Sequence, residues 1–274
     1  MNDSVRGVMR EGSAWTARIG IRGIRAARIG QEASRAFAEE LSENLGAFER
    51  LTHIQASTDL PPMHIMEVDR MVIIWVAGAQ SRAHGENVLN GLVETWENAG
   101  LSQVNVLVGR LMVARMEAHV GLRGRVDDVV LFGHSYGAVC VEAYAAEMSR
   151  LYPSTQFSVT TYGSPRTCIP GRLIASENIR RRRIVSTQDI VSHVPYNSRE
   201  SPIAARATPA RYRQAFDNAG HTCSAMIFAD DGTFTRASYN TISVRESSLA
   251  IIQWMTYMQH VTHRAHEEAT YVSL

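Results

Sequence analysis

A chain of 274 residues, 45% hydrophobic and 20% charged, has the composition of an ordinary globular protein with one large core. Its net charge of +1, from 28 arginines and no lysine against 27 acidic residues, argues against a nucleic-acid-binding protein. No apolar run approaches the roughly 20 residues that span a bilayer, and residues 1–15 lack the apolar centre of a signal peptide. We therefore expect a cytoplasmic protein or one secreted by a non-classical route.

Residues 1–60 are predicted to form a basic arm and a helix, and residues 61–274 to form the main domain. Six arginines occur among the first thirty residues, and Arg18, Arg22 and Arg25 share one helical face. Glycines in the same stretch weaken a helix. The arm is interpreted either as a contact with an anionic membrane surface or as a mobile, loosely packed extension.

Helices and strands alternate in the next part of the chain. A stripe of apolar residues at spacings of three and four predicts a helix over 31–50, and the run from Met71 to Val76 predicts a buried strand. The pattern then predicts a helix over 84–99, a strand over 104–108 and a helix over 111–120.

A strand, a tight turn and a helix follow one another in the middle of the chain. Val129 to Phe132 is typical of a strand buried on both faces, and it leads directly into Gly133-His134-Ser135-Tyr136-Gly137. Small residues from Ala138 onward predict a helix. Strand, Gly-x-Ser-x-Gly and helix together form a nucleophile elbow, in which the turn exposes the serine Oγ and the flanking glycines avoid collisions. The pattern predicts Ser135 as a nucleophile supported by its neighbours in the elbow.

Two further strands, over 157–162 and 183–186, and a closing helix over 247–263 complete the pattern. Alternating strands and helices predict an α/β fold with a mostly parallel sheet. The window 169–215 holds nine arginines against three acids, including the run Arg180 to Arg183. This run is interpreted either as a site that attracts anionic lipid headgroups or as the solvated start of a strand.

A nucleophilic serine needs a base and an acid that orients the base. Asp189 follows the strand of residues 183–186 and therefore lies at the carboxyl end of a strand, where open α/β sheets bind ligands. It is the favoured acid. Other downstream aspartates, Asp217, Asp230 and Asp231, lie in polar, Gly-flanked stretches typical of surface turns.

Five histidines follow Asp189 and are candidates for the base. His193 is only four residues beyond the acid, and the last three lie at or beyond the closing helix. His221 lies in a turn-like loop that could reach back to the serine, and it is favoured by elimination. His193 stays open as the alternative, and the last three are expected to be solvated: His260, His263 and His266.

An oxyanion hole requires two N–H groups. The residue after the nucleophile, Tyr136, supplies one, and Ala79, with Gln80 as the alternative, supplies the other from the loop after the strand of residues 71–76. No dinucleotide, phosphate-loop or metal motif occurs, so no cofactor or metal is expected. The three cysteines fit neither a disulfide framework nor a zinc site and are expected to be buried: Cys140, Cys168 and Cys223.

Four segments together resemble the class 3 (fungal, Rhizomucor-type) lipases. They lie between residues 65 and 230, and the first sixty residues are outside the resemblance. The segments are the strand and loop of residues 72–79, the elbow GHSYGA, the segment TTYGSPR at 160–166, where the family has T-F-G-x-P-R, and TQDIVSHVP at 187–195 with the later Gly220-His221.

The resemblance implies an α/β-hydrolase fold with a helical extension at the N-terminus and a serine hydrolase that cleaves carboxylic esters of lipids. It implies a triad of Ser135, Asp189 and His221, oxyanion donors at Ala79 and Tyr136, and either a lid or a packed helix at residues 84–99. Two alternatives remain: a phospholipase A-type effector or toxin, and a noncatalytic lipid-binding protein. The implied partner is a lipid or small ester.

Overall fold

The computed structural model describes residues 14–57, 60–80, 126–165, 177–186, 189–193, 225–228 and 234–237, with the single positions 7 and 9. The described residues form one sheet of eight strands that lie side by side in chain order. The strands are β1 (Arg50–Ile54), β2 (Met63–Val68), β3 (Met71–Val76), β4 (Asp128–His134), β5 (Gln156–Tyr162), β6 (Ile179–Ser186), β7 (Ala225–Phe228) and β8 (Phe234–Ala237).

The centre of the sheet is parallel and its two margins are antiparallel. Neighbouring strands from β3 to β7 pair in parallel, whereas β2 pairs antiparallel to both β1 and β3, and β8 pairs antiparallel to β7. The predicted mostly parallel α/β sheet is therefore confirmed. Because parallel strands point the same way, the loops that follow β3, β4 and β6 all leave the sheet at one edge.

Three helices among the described residues cover both faces of the sheet: α1 (Ala14–Ile29), α2 (Gln31–Leu45) and α3 (Tyr136–Leu151). Successive side chains of a strand point to opposite faces. Accordingly, Ile74 of β3 packs in the cluster that contains α3, and its neighbour Trp75 packs in the cluster that contains α1 and α2. Residues 1–60 thus contribute two helices and a strand to the same layered core as the later residues.

The first helix is not a mobile extension, and that interpretation is wrong for residues 14–29. Its inner face is buried on the sheet, and its exposed side carries Arg18, Arg22, Arg25 and Arg28. The glycines that were expected to weaken this helix instead permit its close approach to the sheet. A Cβ at Gly20 would lie 2.3 Å from the Tyr162 hydroxyl, and a Cβ at Gly23 would lie 2.2 Å from Trp75 Nε1.

We expect Gly20→Ala to destabilise the protein, although helix propensity alone would make alanine more favourable by about 1 kcal/mol. The added methyl group would overlap both Tyr162 and Phe132, so we expect the free energy of unfolding to fall by about 1–3 kcal/mol. Urea unfolding of the variant measures this change. Gly7→Ala is the matched control, since no atom lies within 4 Å of a Cβ at that position; a stabilised Gly20→Ala protein contradicts the packing.

A buried polar cluster joins α2 to the antiparallel margin of the sheet. The Ser34 hydroxyl lies 2.9 Å from Nδ1 of His64 and 3.4 Å from Nδ1 of His53. The His64 ring is wholly buried against Trp75, with ring centroids 4.3 Å apart. Burial, with a smaller contribution from the charge of His53, lowers the pKa of His64 from 6.5 to about 3. His64 is therefore neutral in the folded protein at physiological pH.

Stability is expected to fall in mild acid because of His64. Between about pH 6.5 and pH 3 the unfolded chain binds a proton at this residue that the folded chain does not. The contribution is therefore fully present above pH 6.5 and decreases by about 1.4 kcal/mol for each unit of pH below it. Urea unfolding across this range measures the slope. The double variant Ser34→Ala/His64→Leu is expected to be less steep by about one proton, and an equal slope in the two proteins would falsify the assignment.

The run of four arginines lies inside β6, which begins at Ile179 rather than at the predicted Arg183. Its side chains alternate between the faces of the sheet. Arg183 is buried, and Nε of Arg181 lies 3.0 Å from a carboxylate oxygen of Glu142 on α3. The interpretation of this run as the solvated start of a strand is therefore wrong for Arg181 and Arg183, whereas Arg180 is exposed. Attraction of anionic lipid headgroups stays a prediction.

Candidate active site

Ser135 occupies a strained turn between β4 and α3. Its φ of 53° and ψ of −119° lie in a region that non-glycine residues rarely adopt. Its N–H donates to the carbonyl of Tyr162 at 3.0 Å, and its carbonyl accepts from the N–H of Ala138 at 3.0 Å. His134 and Tyr136 are buried, but Ser135 is partly exposed and its side chain makes no capping hydrogen bond to α3. The predicted strand, elbow and helix are confirmed.

The two glycines of the elbow are required by backbone contacts. A Cβ at Gly133 would lie 2.4 Å from the carbonyl oxygen of Gly137. A Cβ at Gly137 would lie 2.4 Å from the carbonyl oxygens of both Val76 and Ala77, which end β3 and begin the next loop. The start of α3 can therefore pack directly on the end of β3 only without these side chains.

The loop that begins at Ala77 passes beside the serine. A Cβ at Gly78 would lie 3.2 Å from Cβ of Ser135 and 2.9 Å from Nδ1 of His134. The loop is fixed by the N–H of Ala77, which donates to the carbonyl of Pro62 at 3.0 Å. Ala79 follows immediately and is exposed, and so is Gln80, whose side chain donates to the carbonyl of Gly78 at 3.1 Å.

A helix N-terminus faces the same region. Helix α3 begins at Tyr136, and the first N–H groups of a helix have no carbonyl partner within the helix. Such groups carry partial positive charge and stabilise an anion placed beside them. The loop at Gly78 and the first turn of α3 therefore both lie beside Ser135, on the two sides from which an oxyanion hole draws its N–H groups.

Asp189 lies just beyond the carboxyl end of β6, two strands away from β4. It is fully buried, and its Oδ1 accepts a hydrogen bond from the N–H of Val191 at 2.9 Å. A short 3₁₀ helix, Ile190–His193, follows it. The acid predicted from sequence is thus fixed at the same edge of the sheet as Ser135.

Several predicted elements and residues lie outside the described residues. Among the cysteines, Cys140 is free and buried, as predicted, and burial raises the pKa of its thiol. Within the described ranges, no group of His, Cys, Asp and Glu side chains could hold a metal ion, and none of the helices described is long and apolar enough to span a bilayer. The predicted residues and segments that lie outside the described residues are His221, the later histidines, Cys168, Cys223, and the segments 84–99, 104–108, 111–120 and 247–263.

Sequence reasoning missed Tyr162, whose carbonyl holds the N–H of Ser135. A signal was present, because Tyr162 ends a strand that is adjacent in sequence order to the strand of the elbow. In a parallel sheet, adjacent strands end side by side, so the last residue of β5 contacts the first residue after β4.

Comparison with known proteins identifies the matched region and the fold. Residues 64–199 match the family model of class 3 lipases. The structure is similar to lipase II from Rhizopus niveus, with 16% identity, a TM-score of 0.53 and coverage of 97% of each chain. It is also similar to the Lip2 lipase of Yarrowia lipolytica, with 12% identity, a TM-score of 0.51, and coverage of 95% of this chain and 94% of that one. No curated protein matches the sequence. The α/β-hydrolase fold is confirmed.

Proposed function

Because the chain belongs, through residues 64–199, to the class 3 lipase family of lipid-ester hydrolases, we propose that it cleaves carboxylic esters of lipids through an acyl-enzyme on Ser135. One observation carries the proposal. The strained, partly exposed serine stands at the start of a helix, with the glycine loop of residues 77–80 beside it. Strain of this kind is retained where the surrounding contacts over-determine it, and it is common at catalytic groups.

The proposed reaction has two halves. A histidine takes the proton of the Ser135 hydroxyl while Oγ attacks the ester carbonyl, and the resulting oxyanion is held by the N–H groups of Tyr136 and Ala79. Collapse of this intermediate breaks the ester bond, and the histidine gives its proton to the departing alcohol. Water, deprotonated by the same histidine, then attacks the acyl-enzyme; the bond to Oγ breaks, the histidine returns its proton to Ser135, and the fatty acid is released.

Asp189 is proposed as the acid that orients the histidine. Its burial and its hydrogen bond from Val191 support this role, because a fixed carboxylate can hold the imidazole in one tautomer and stabilise the imidazolium that forms. The 3₁₀ helix Ile190–His193 follows Asp189 directly and sets the direction of the chain after this residue.

The base is the triad member that the topology constrains least. His221 is retained as the candidate from the sequence. It precedes Ala225, the first residue of β7, which pairs with Arg183 and is in register with Thr161 and Gly133, so β7 begins level with the elbow and three strands from β4. Three strand spacings amount to about 14 Å, and four residues span at most about 14 Å, so the position of β7 allows His221 to approach Ser135. The other histidines downstream of Asp189, with His193 first among them, are the competing candidates.

The proposal is tested by fatty-acid release from emulsified triacylglycerol and from phospholipid vesicles, together with labelling by a fluorophosphonate probe mapped to its residue. We expect labelling at Ser135 and release from at least one lipid. Preference for the vesicles favours a phospholipase effector, and a chain that neither labels nor releases fatty acid is a noncatalytic lipid-binding protein. Alanine substitution of each downstream histidine identifies the base as the one whose loss lowers turnover by about 10³-fold or more.

A further inference from the structure

Tyr162 connects the proposed nucleophile to the first helix. It is fully buried at the carboxyl end of β5. Its carbonyl accepts the N–H of Ser135 at 3.0 Å, and its hydroxyl donates to the carbonyl of Ala17 on α1 at 2.5 Å. Tyr162 therefore forms one hydrogen bond through its backbone, to the elbow, and one through its side chain, to α1, which lies on the face of the sheet opposite α3.

The Tyr162 hydroxyl contacts backbone groups of α1 rather than its side chains. The Tyr162 hydroxyl also interacts with the N–H of Ile21, four residues after Ala17, so it bridges two peptide groups one turn apart. Burial raises the pKa of this hydroxyl and keeps it a neutral donor. Gly20 is what allows the approach, because a Cβ there would lie 2.3 Å from the hydroxyl oxygen.

We propose that Tyr162 is a positioning residue: through its hydroxyl, the docked helix α1 fixes the Tyr162 carbonyl and hence the N–H and Oγ of Ser135. This inference rests on the proposed function of Ser135. A strained backbone keeps its conformation only while its neighbours hold it, and the Tyr162 carbonyl is one of the hydrogen-bonding groups that hold Ser135. The pattern T-F-G-x-P-R that Thr161 to Arg166 resembles has phenylalanine where this chain has Tyr162, so this chain carries one additional hydroxyl there.

The size of the effect follows from the geometry of attack. A displacement of about 1 Å at a reacting group can lower a rate up to about 100-fold. Loss of the hydroxyl lets the aromatic ring stay buried while the carbonyl is held less firmly. We therefore expect a partial effect on the reaction step and no effect on substrate binding.

The test compares two variants that each remove one buried hydroxyl between the sheet and the N-terminal helices. Tyr162→Phe deletes the link from α1 to the elbow. Ser34→Ala, the matched control, deletes the link from α2 to His64 on β2, two strands away from the strand of the elbow. The readouts are the thermal midpoint, the kcat and KM for a soluble p-nitrophenyl ester, and the second-order rate constant for fluorophosphonate labelling at Ser135, all at a temperature where each protein is folded.

For Tyr162→Phe we expect kcat and the labelling rate constant to fall about 3- to 10-fold with KM nearly unchanged. For Ser34→Ala we expect a lower thermal midpoint, because Nδ1 of His64 loses its partner, and wild-type rates. Equal labelling of wild type and Tyr162→Phe overturns this inference alone, and so does an equal loss of rate in Ser34→Ala. A wild-type chain that takes up no probe at Ser135 overturns the proposed function and this inference with it.

Discussion

Ser135→Ala is expected to lower turnover of a soluble ester by about 10⁴-fold or more while the fold remains intact. The hydroxyl is the only atom removed, and it makes no capping hydrogen bond to α3, so the elbow loses none of the backbone contacts that hold it. Alanine meets the same strain as serine at a φ of 53°. Without the oxygen no acyl-enzyme forms, and any residual rate comes from the oxyanion donors and substrate binding alone.

The measurement is initial-rate hydrolysis of a p-nitrophenyl ester, with mass spectrometry of the fluorophosphonate-treated protein. Ser149→Ala is the matched control, because Ser149 is a buried serine of the same helix whose hydroxyl donates to the carbonyl of Ala146 at 3.1 Å. We expect the control to keep wild-type rates and labelling. Substantial hydrolysis by Ser135→Ala would exclude this residue as the nucleophile.

The centre of the fold was predictable because its signals are local. Met71 to Val76 and Val129 to Phe132 are continuous apolar runs, as expected for strands covered on both faces, and they lie within β3 and β4. The elbow was predictable because Gly-x-Ser-x-Gly needs a strand before it and a helix after it, and both are readable from sequence. The position of Asp189 was predictable as well, because it follows β6 and so lies at the same end of the parallel strands as Ser135.

The antiparallel margin and the first helix were not predictable by the same reasoning. Strand β2 contains His64 and Glu67, which interrupt its apolar pattern, and His64 is accommodated in the core because Ser34 of α2 is its polar partner. The glycines of α1 lower helix propensity, yet they are favourable where Tyr162 and Trp75 contact the helix backbone. Propensity describes an isolated segment, so it cannot reveal a helix that is stabilised by packing.

The residues of the candidate site also differ in how far the sequence predicts their positions. Ser135 and Asp189 each follow a recognisable strand, so their place in the sheet was readable. A base contributed by a long connection has no such anchor, and the choice of His221 was made by elimination among five histidines. The register of β7 adds information that no local pattern contains, because Ala225 is level with Gly133 only through the pairing of four neighbouring strands.

Gly137→Ala is expected to lower the free energy of unfolding by about 3 kcal/mol or more, although alanine is the better helix former by about 1 kcal/mol. The new Cβ would lie 2.4 Å from two backbone carbonyl oxygens, those of Val76 and Ala77. Neither oxygen can rotate away, since both belong to the end of the central strand and the loop after it. Relief requires α3 and β3 to separate by about 1 Å.

That separation would also move the proposed oxyanion donors. Tyr136 lies on α3 and Ala79 lies on the loop after β3, so opening this contact displaces the two N–H groups relative to each other. We therefore expect the folded Gly137→Ala protein to lose about 100-fold in fluorophosphonate labelling rate at low temperature, beyond its loss of stability. Gly7→Ala controls for the substitution itself, since a Cβ at that position meets no atom within 4 Å. A destabilised Gly137→Ala protein that labels at the wild-type rate would show that packing of α3 on β3 supports the fold but does not set the geometry of the site.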